Sequence, residues 1–217
     1  MSEFSMWSEK YQPKTLDECV LEGFPKYVQL TLRKIEQSNR LPNLLLYGIA
    51  GTGKSTIARV LSQKEMFDVY WKNGSLLTKA DVPALTKTAT VSTLFAQPKI
   101  IFIDEADGLT QPAQYALRSV IEPHVKASWI MTCNFRKKLI EPLASRFMQI
   151  ECSLPPSSER QSHIAGIVKR CQQILTSESI LNVSNSEIEA IASEKYPDIR
   201  QTINEIQLRY SFMSEAA

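Results

Sequence analysis

The sequence predicts an α/β fold, with a parallel five-stranded sheet flanked by helices and a small helical unit after it. Three observations predict it. Apolar runs of strand length alternate with helical stretches along residues 1–154, as in a sheet built from strand–helix–strand units. The run Ile100-Ile101-Phe102-Ile103 is continuously apolar rather than alternating, which suits a parallel strand covered on both faces. After Leu154-Pro155-Pro156-Ser157-Ser158 no strong strand signal follows, and the rest reads as helices.

The elements follow in chain order. Residues 25–38 carry Val28, Leu30, Leu32 and Ile35 in a helical pattern that opens with Pro25. Residues 43–47 are an apolar strand, and residues 56–61 read as a helix. Between them, Gly48-Ile49-Ala50-Gly51-Thr52-Gly53-Lys54-Ser55 fits GxxxxGK[ST] at every constrained position. Residues 67–71, 99–104, 128–132 and 148–151 are the other four strands, and residues 112–121 form a helix after Thr110. Beyond the prolines, residues 159–175 place Ile164, Ile167 and Val168 on one side of a helix. Residues 184–193 open with Ser/Asn capping candidates. Residues 198–212 keep Ile199, Ile203, Ile206 and Leu208 in helical register. The expected division is therefore an α/β domain over residues 1–154 and a helical domain over residues 155–217.

Composition narrows the functional classes. The 217 residues are 43% hydrophobic and 22% charged, ordinary for a globular protein with a sizeable core. Lys and Arg number 25 against 23 Asp and Glu, so any nucleic-acid contact has to come from a local patch or an assembly. No apolar run approaches the ~20 residues of a membrane helix. Met1-Ser2-Glu3-Phe4-Ser5-Met6 lacks the basic and apolar regions of a signal peptide. Cys19, Cys133, Cys152 and Cys171 are widely spaced, with no C-x-x-C, and read as reduced thiols. A cytoplasmic or nuclear location, without membrane attachment, is expected.

The glycine-rich run carries the clearest chemistry. Set between a strand and a helix, such a loop turns backbone N–H groups around phosphate oxygens and adds the positive end of the helix dipole. Lys54 would reach the β- and γ-phosphates, and the Ser55 hydroxyl would bind Mg²⁺. Asp104-Glu105-Ala106-Asp107 closes the third strand. In a parallel α/β fold the carboxyl ends of strands line the ligand crevice. Asp104 there suits Mg²⁺, and Glu105 suits a general base that polarises water. Taken without the loop, the same residues also read as solvated acids at a strand end.

Taken together, these segments resemble the small ATPase subunits of sliding-clamp loaders, the replication factor C and phage clamp-loader family of AAA+ proteins. The resemblance runs through Trp7-Ser8-Glu9-Lys10-Tyr11-Gln12-Pro13-Lys14-Thr15-Leu16-Asp17-Glu18, the GxxxxGK[ST] loop and the Asp-Glu-Ala-Asp box. It continues through Cys133-Asn134, Glu141-Pro142-Leu143-Ala144-Ser145-Arg146 and Pro197-Asp198-Ile199-Arg200-Gln201-Thr202-Ile203-Asn204. It implies an AAA+ P-loop domain with a helical lid, taking ATP and Mg²⁺. Asn134 matches sensor 1, a neutral amide facing the γ-phosphate; read from its residues alone it is a turn former at a strand end. Arg146 matches the arginine finger that reaches the nucleotide of a neighbouring subunit in trans; alone it is a surface charge. Arg200 matches sensor 2 on the lid; alone it is an exposed charge at a helix start.

The resemblance also implies an adenine wall from Tyr11 and Pro13, with Val20 and Leu21 across the base. The cofactor-binding set is then Tyr11, Pro13, Val20, Leu21, Gly48, Ile49, Ala50, Gly51, Thr52, Gly53, Lys54, Ser55, Thr56 and Asp104. Gln12 stands where the family carries Arg, Ile49-Ala50 where it carries Pro-Pro, and Phe147 where Cys follows the finger. Residues 110–118 would face DNA, with Gln114 a candidate relay to Glu105 and Lys79, Lys87 and Arg136 as further basic candidates. The family continues into a helical collar domain, whereas this sequence stops soon after the lid.

The function so implied is ATP-dependent loading of a sliding clamp onto primer-template DNA. The partners would be other clamp-loader subunits, in a homo- or hetero-oligomer, together with clamp and DNA. Two alternatives remain open: another DNA-acting AAA+ ATPase, such as a helicase loader or branch-migration motor, and a weakly hydrolysing nucleotide-binding scaffold.

Overall fold

The computed structural model describes residues 5–64, 66–91, 97–121, 127–152 and 157–211. The strands are β1 (Leu44–Tyr47), β2 (Asp68–Asn73), β3 (Lys99–Asp104), β4 (Ser128–Cys133) and β5 (Met148–Glu151). They form one sheet in the order β2-β3-β4-β1-β5, and every pairing is parallel. The helices are α1 (Trp7–Lys10), α2 (Lys26–Gln37), α3 (Lys54–Ser62), α4 (Val82–Thr90), α5 (Gln111–Val120), α6 (Glu141–Ala144), α7 (Arg160–Ser177), α8 (Asn185–Lys195) and α9 (Ile199–Tyr210). The expected α/β class and five-stranded parallel sheet are what the chain forms.

Side chains alternate across a strand with period two, so continuously apolar strands feed two cores. Leu44, Leu46, Ile100, Phe102 and Ile130 enter one core, where Val28, Leu32 and Ile35 of α2 and Ile57, Ala58 and Leu61 of α3 meet them. Leu45, Ile101, Ile103, Trp129 and Met131 enter the other, covered by Val82, Leu85 and Ala89 of α4 and Ala113 and Leu117 of α5. Each fully buried Leu or Ile contributes about 1.5–3 kcal/mol. Both faces must therefore stay covered, and that fixes the sheet as the rigid floor of the molecule.

Three helices went unanticipated. The α4 sequence Val-Pro-Ala-Leu-Thr-Lys-Thr-Ala-Thr is rich in β-branched residues, and its helicity comes from the packing of Val82, Leu85 and Ala89 rather than from propensity. α1 and α6 are single turns of four residues, too short to show a period.

A third core gathers Ile164, Ile167, Ile174, Ile188, Ile191 and Ile206 from α7, α8 and α9. The expected cap at Ser184 is present as a reciprocal pair with Glu187. Trp7 and Val20 join this helical core rather than the sheet. The Trp7 backbone N–H donates to Gln207 Oε1 at 2.7 Å, and Gln207 Nε2 donates to the Ser5 carbonyl at 2.9 Å. Lys10 Nζ and the Tyr11 hydroxyl both donate to Glu178 Oε1 at 2.7 Å. The N-terminal segment is thus carried by the helical bundle. The linker residues Leu154, Pro155 and Pro156 lie outside the described residues, as do residues 212–217.

Candidate active site

The glycine-rich loop leaves the carboxyl end of β1 and runs into α3, which begins at Lys54. Gly51 has φ +83°, and a Cβ built on it would stand 2.8 Å from Asp198 Cα. No L side chain fits that position comfortably on either count. Lys54 is only 7% exposed, and its ammonium donates to the Ile49 carbonyl at 2.6 Å. Burial pushes its pKa below the ordinary lysine value, against the pull of Asp107 and Asp104. A desolvated cation held by a neutral carbonyl, at a helix N-terminus, is an electrostatic seat for an anion.

The opposite wall comes from the ends of β3 and β4. Ser55 Oγ donates to Asp104 Oδ1 at 2.7 Å, and the Thr132 hydroxyl donates to the same oxygen. Thr132 Oγ1 in turn accepts from the Glu105 backbone N–H at 3.2 Å. One carboxylate is therefore oriented by two hydroxyls, one from α3 and one from β4. Glu105 has φ +54° and ψ +46°, the left-handed region, unusual for a non-glycine residue and a form of strain common at working sites. Its carboxylate accepts from Asn73 Nδ2 at 3.2 Å, at the end of β2. Gly74 permits this approach, since a Cβ there would lie 2.5 Å from the Glu105 carbonyl oxygen.

The third wall is helical. The Ile199 N–H at the start of α9 donates to the Gly51 carbonyl at 3.4 Å. Asp198 caps α9 by accepting from the Gln201 N–H at 3.0 Å. Arg170 of α7 donates through Nη2 to the Tyr11 carbonyl at 2.7 Å and lies 3.7 Å from Glu18 Oε2.

These three walls enclose a cavity of about 460 Å³. Of the expected residues, Tyr11, Pro13, Val20, Ala50, Gly51, Thr52, Gly53, Lys54, Ser55, Thr56, Asp104, Glu105, Asn134 and Arg200 line it. Gly48 and Ile49 belong to the loop but do not line the cavity, and Ile49 contributes the carbonyl that holds Lys54. Leu21 does not reach the cavity: it is buried with Leu16, Phe24 and Val28 in the core against the sheet, because its neighbour Val20 takes the cavity side.

Arg146 lies elsewhere. It precedes β5, and its carbonyl accepts from Asn43 Nδ2 at 3.4 Å, just before β1. In a parallel sheet that is the amino end, whereas the loop sits at the carboxyl end, about 13 Å away along four residues of β1. The Arg146 guanidinium donates to the Pro142 carbonyl at 2.6 Å and does not meet its own chain's loop.

Two further expectations change. Gln114 is buried and ties α5 to nearby loops, accepting from the Ile140 N–H at 2.8 Å and donating to the Leu109 and Lys138 carbonyls at 3.1 and 3.0 Å; Glu105 is not among these partners. Arg136 is held by Gln149 and Glu141, each at 2.7 Å, so local pairing occupies it. Lys79 and Lys87 are exposed. The four cysteines are free thiols, each pushed up to about 12 chiefly by burial. Among the described residues no cluster of three or more His, Cys, Asp or Glu could hold a metal, and no helix is long and apolar enough to cross a membrane.

Sequence reasoning missed Asn73, Thr132 and Arg170. Arg170 had a signal: it falls three residues after Ile167 and four before Ile174, a charge inside the apolar stripe of α7. Asn73 and Thr132 sit at strand ends, and only the strand order makes them neighbours of Glu105 and Asp104.

Residues 44–154 match the family described as ATPase family associated with various cellular activities (AAA). Over 221 residues the chain is 34% identical to replication factor C small subunit 2 of Pyrobaculum aerophilum, covering 96% of this chain and 64% of that protein. It is also 34% identical to the replication factor C small subunit of Methanosphaera stadtmanae, covering 93% of this chain and 62% of that one. The chain thus spans somewhat under two thirds of the length of these relatives. Among solved structures, the Thermotoga maritima RuvB Holliday junction branch migration motor superposes with a TM-score of 0.72 at 21% identity, covering 95% of this chain and 67% of that one; at that identity the likeness carries the fold. With its loop, acidic box and lid around one cavity, the chain belongs to the AAA family of ATPases, and within it is similar along nearly its whole length to replication factor C small subunits.

Proposed function

We propose that this chain is an ATP-hydrolysing subunit of a clamp loader, which uses ATP to place a sliding clamp on primer-template DNA. The observation that carries this reading is the single cavity that gathers Lys54, Ser55, Asp104, Glu105, Asn134 and Arg200, in a chain similar throughout to replication factor C small subunits. The residues fit ATP and Mg²⁺. Lys54 is a buried cation without a carboxylate partner, and Ser55 with Asp104 offers two hard oxygens in contact, enough for an ion that takes its other ligands from phosphates and water.

In this reading the loop N–H groups and Lys54 hold the β- and γ-phosphates. Tyr11, Pro13 and Val20 wall the base. Ser55 and Asp104 hold Mg²⁺, which when bound neutralises charge developing on the phosphates. Glu105 accepts a proton from water as the water oxygen bonds to the γ-phosphorus and the bond to the β-phosphate bridging oxygen breaks. The Asn73 contact holds the Glu105 carboxylate at the cavity's edge in this state. Asn134 and Arg200 act on the γ-phosphate in cis. Arg146, placed away from its own cavity, is offered to a neighbouring subunit, with other clamp-loader subunits, clamp and DNA as partners. The division into residues 1–154 and 155–217 is part of the same proposal, with the N-terminal segment packed on the helical part.

The test uses the chain with its partner subunits, a clamp and primed DNA. Hydrolysis is expected to rise when clamp and DNA are added together; hydrolysis indifferent to both overturns the clamp-loading reading. Lys54→Ala is expected to weaken ATP binding at least a hundredfold, about 2.7 kcal/mol. Glu105→Gln should keep binding within a few-fold while hydrolysis falls about 10²–10⁴-fold. Clamp loading that survives Glu105→Gln would favour the weakly hydrolysing scaffold instead.

A further inference from the structure

We infer that Arg170 is a positioning residue for the base end of the cavity, fastening the N-terminal wall to the lid helix α7. The inference rests on the nucleotide reading above and names a part of the site that sequence motifs do not mark.

Arg170 is a charged side chain only 11% exposed. Such a burial needs compensation by hydrogen bonds. Its Nη2 donates to the Tyr11 carbonyl at 2.7 Å, and its Nη1 donates to Gln173 Oε1 at 3.2 Å. Glu18 supplies the opposite charge at 3.7 Å. The Nε–H is buried without a hydrogen-bond partner. Its Nη2 alone meets both the Tyr11 carbonyl and the Glu18 carboxylate, while Nη1 turns to Gln173. A guanidinium holds such groups in different directions from one rigid plane. Residues 11 and 18 both belong to the N-terminal segment that lines the cavity.

The location decides the role. Tyr11, Glu18 and Arg170 all line the cavity with the loop, yet Arg170's partners are Tyr11, Glu18 and Gln173, not loop residues. Phosphates seated on Lys54 leave the base to extend toward that segment. The phosphate seat is built on the sheet, whereas the base wall is built on the bundle through Trp7–Gln207, Tyr11–Glu178 and Tyr11–Arg170. Of these ties, Arg170 grips the backbone at the cavity itself. Losing it frees the Tyr11 carbonyl at the cavity and leaves the phosphate seat intact.

The experiment compares two probes on the full chain: ATP, which uses both ends of the cavity, and inorganic tripolyphosphate, which uses only the phosphate seat. Arg170→Ala is expected to weaken ATP about tenfold, as loss of a charged hydrogen bond does, and to leave tripolyphosphate within twofold. Arg170→Lys should recover part of the ATP affinity. Glu18→Gln, at a more exposed position, provides a milder loss of the same sign should the alanine variant fold poorly, and ligand-free melting checks each variant. Equal loss of ATP and tripolyphosphate would show that Arg170 acts at the phosphates and overturn the inference, as would unchanged ATP affinity. Failure of the wild-type chain to bind either probe would instead overturn the nucleotide reading itself.

Discussion

Gly51 is where the loop and the lid come closest. Its φ of +83° and the 2.8 Å approach of Asp198 Cα mean that Gly51→Ala strains the backbone and pushes α9 off the loop. The expected outcome is a loss of about 1–3 kcal/mol in chemical denaturation, with weaker nucleotide binding. His163 offers a pH test. It is buried beside Gly23, with Nδ1 3.2 Å from the Tyr196 hydroxyl, Glu22 nearby and Arg160 stacked on the far ring. Burial depresses its pKa below 6.5, despite the opposing pull of Glu22. The unfolded chain therefore takes up a proton at a higher pH than the folded one. His163 thus favours the fold above about pH 6.5, and its contribution is lost as pH falls from there through the lower folded-state value. Melting temperatures compared between about pH 7.5 and 5.5 should fall less in His163→Gln than in wild type. An equal fall in both would refute the assignment.

At the scale of elements, β1, β3 and β4 were legible because their apolar character is nearly continuous. β3 and β5 coincide with the expected residues 99–104 and 148–151. The glycine-rich loop was legible for a different reason: its residues are contiguous, so spacing alone brings them together. The hydroxyl of Thr132 and the amide of Asn73 were not legible, because their roles depend on β3 lying between β2 and β4, a fact of pairing rather than of pattern. α4 was missed because Val82 and its three threonines are weak helix formers that dilute its Ala, Leu and Lys. The short N-terminal helix behaves as a plug for the bundle: Trp7 is 4% exposed in the third core. Trp7→Ala should cost about 3–5 kcal/mol and destabilise α7–α9 before the sheet. Hydrogen exchange would show this as lost protection in those helices first; uniform loss throughout would contradict it.

At the scale of the whole molecule, the cavity lies where two structures with different anchors meet. The loop and acidic box sit on a sheet covered on both sides, whereas the helical wall and the N-terminal segment pack on a separate helical core. Arg146 sits at the other end of the sheet, so if it acts in trans as proposed, one molecule presents a receptive end and a donating end. Copies or relatives stacked head to tail would place one against the other, a heterologous arrangement that closes into a ring or continues as a spiral.

The bond between Trp7 and Gln207 joins residues 200 apart, and it sets an order on the birth of the site. At ribosomal speeds of roughly 5–20 residues per second, the first of these residues emerges about 10–40 s before the second. The sheet's last strand ends at Glu151, so the phosphate seat can assemble on a growing chain while its base wall still waits for α9. If the cavity works as proposed, a nascent chain of this sequence passes through a period in which it can hold a phosphate before it can recognise a nucleotide.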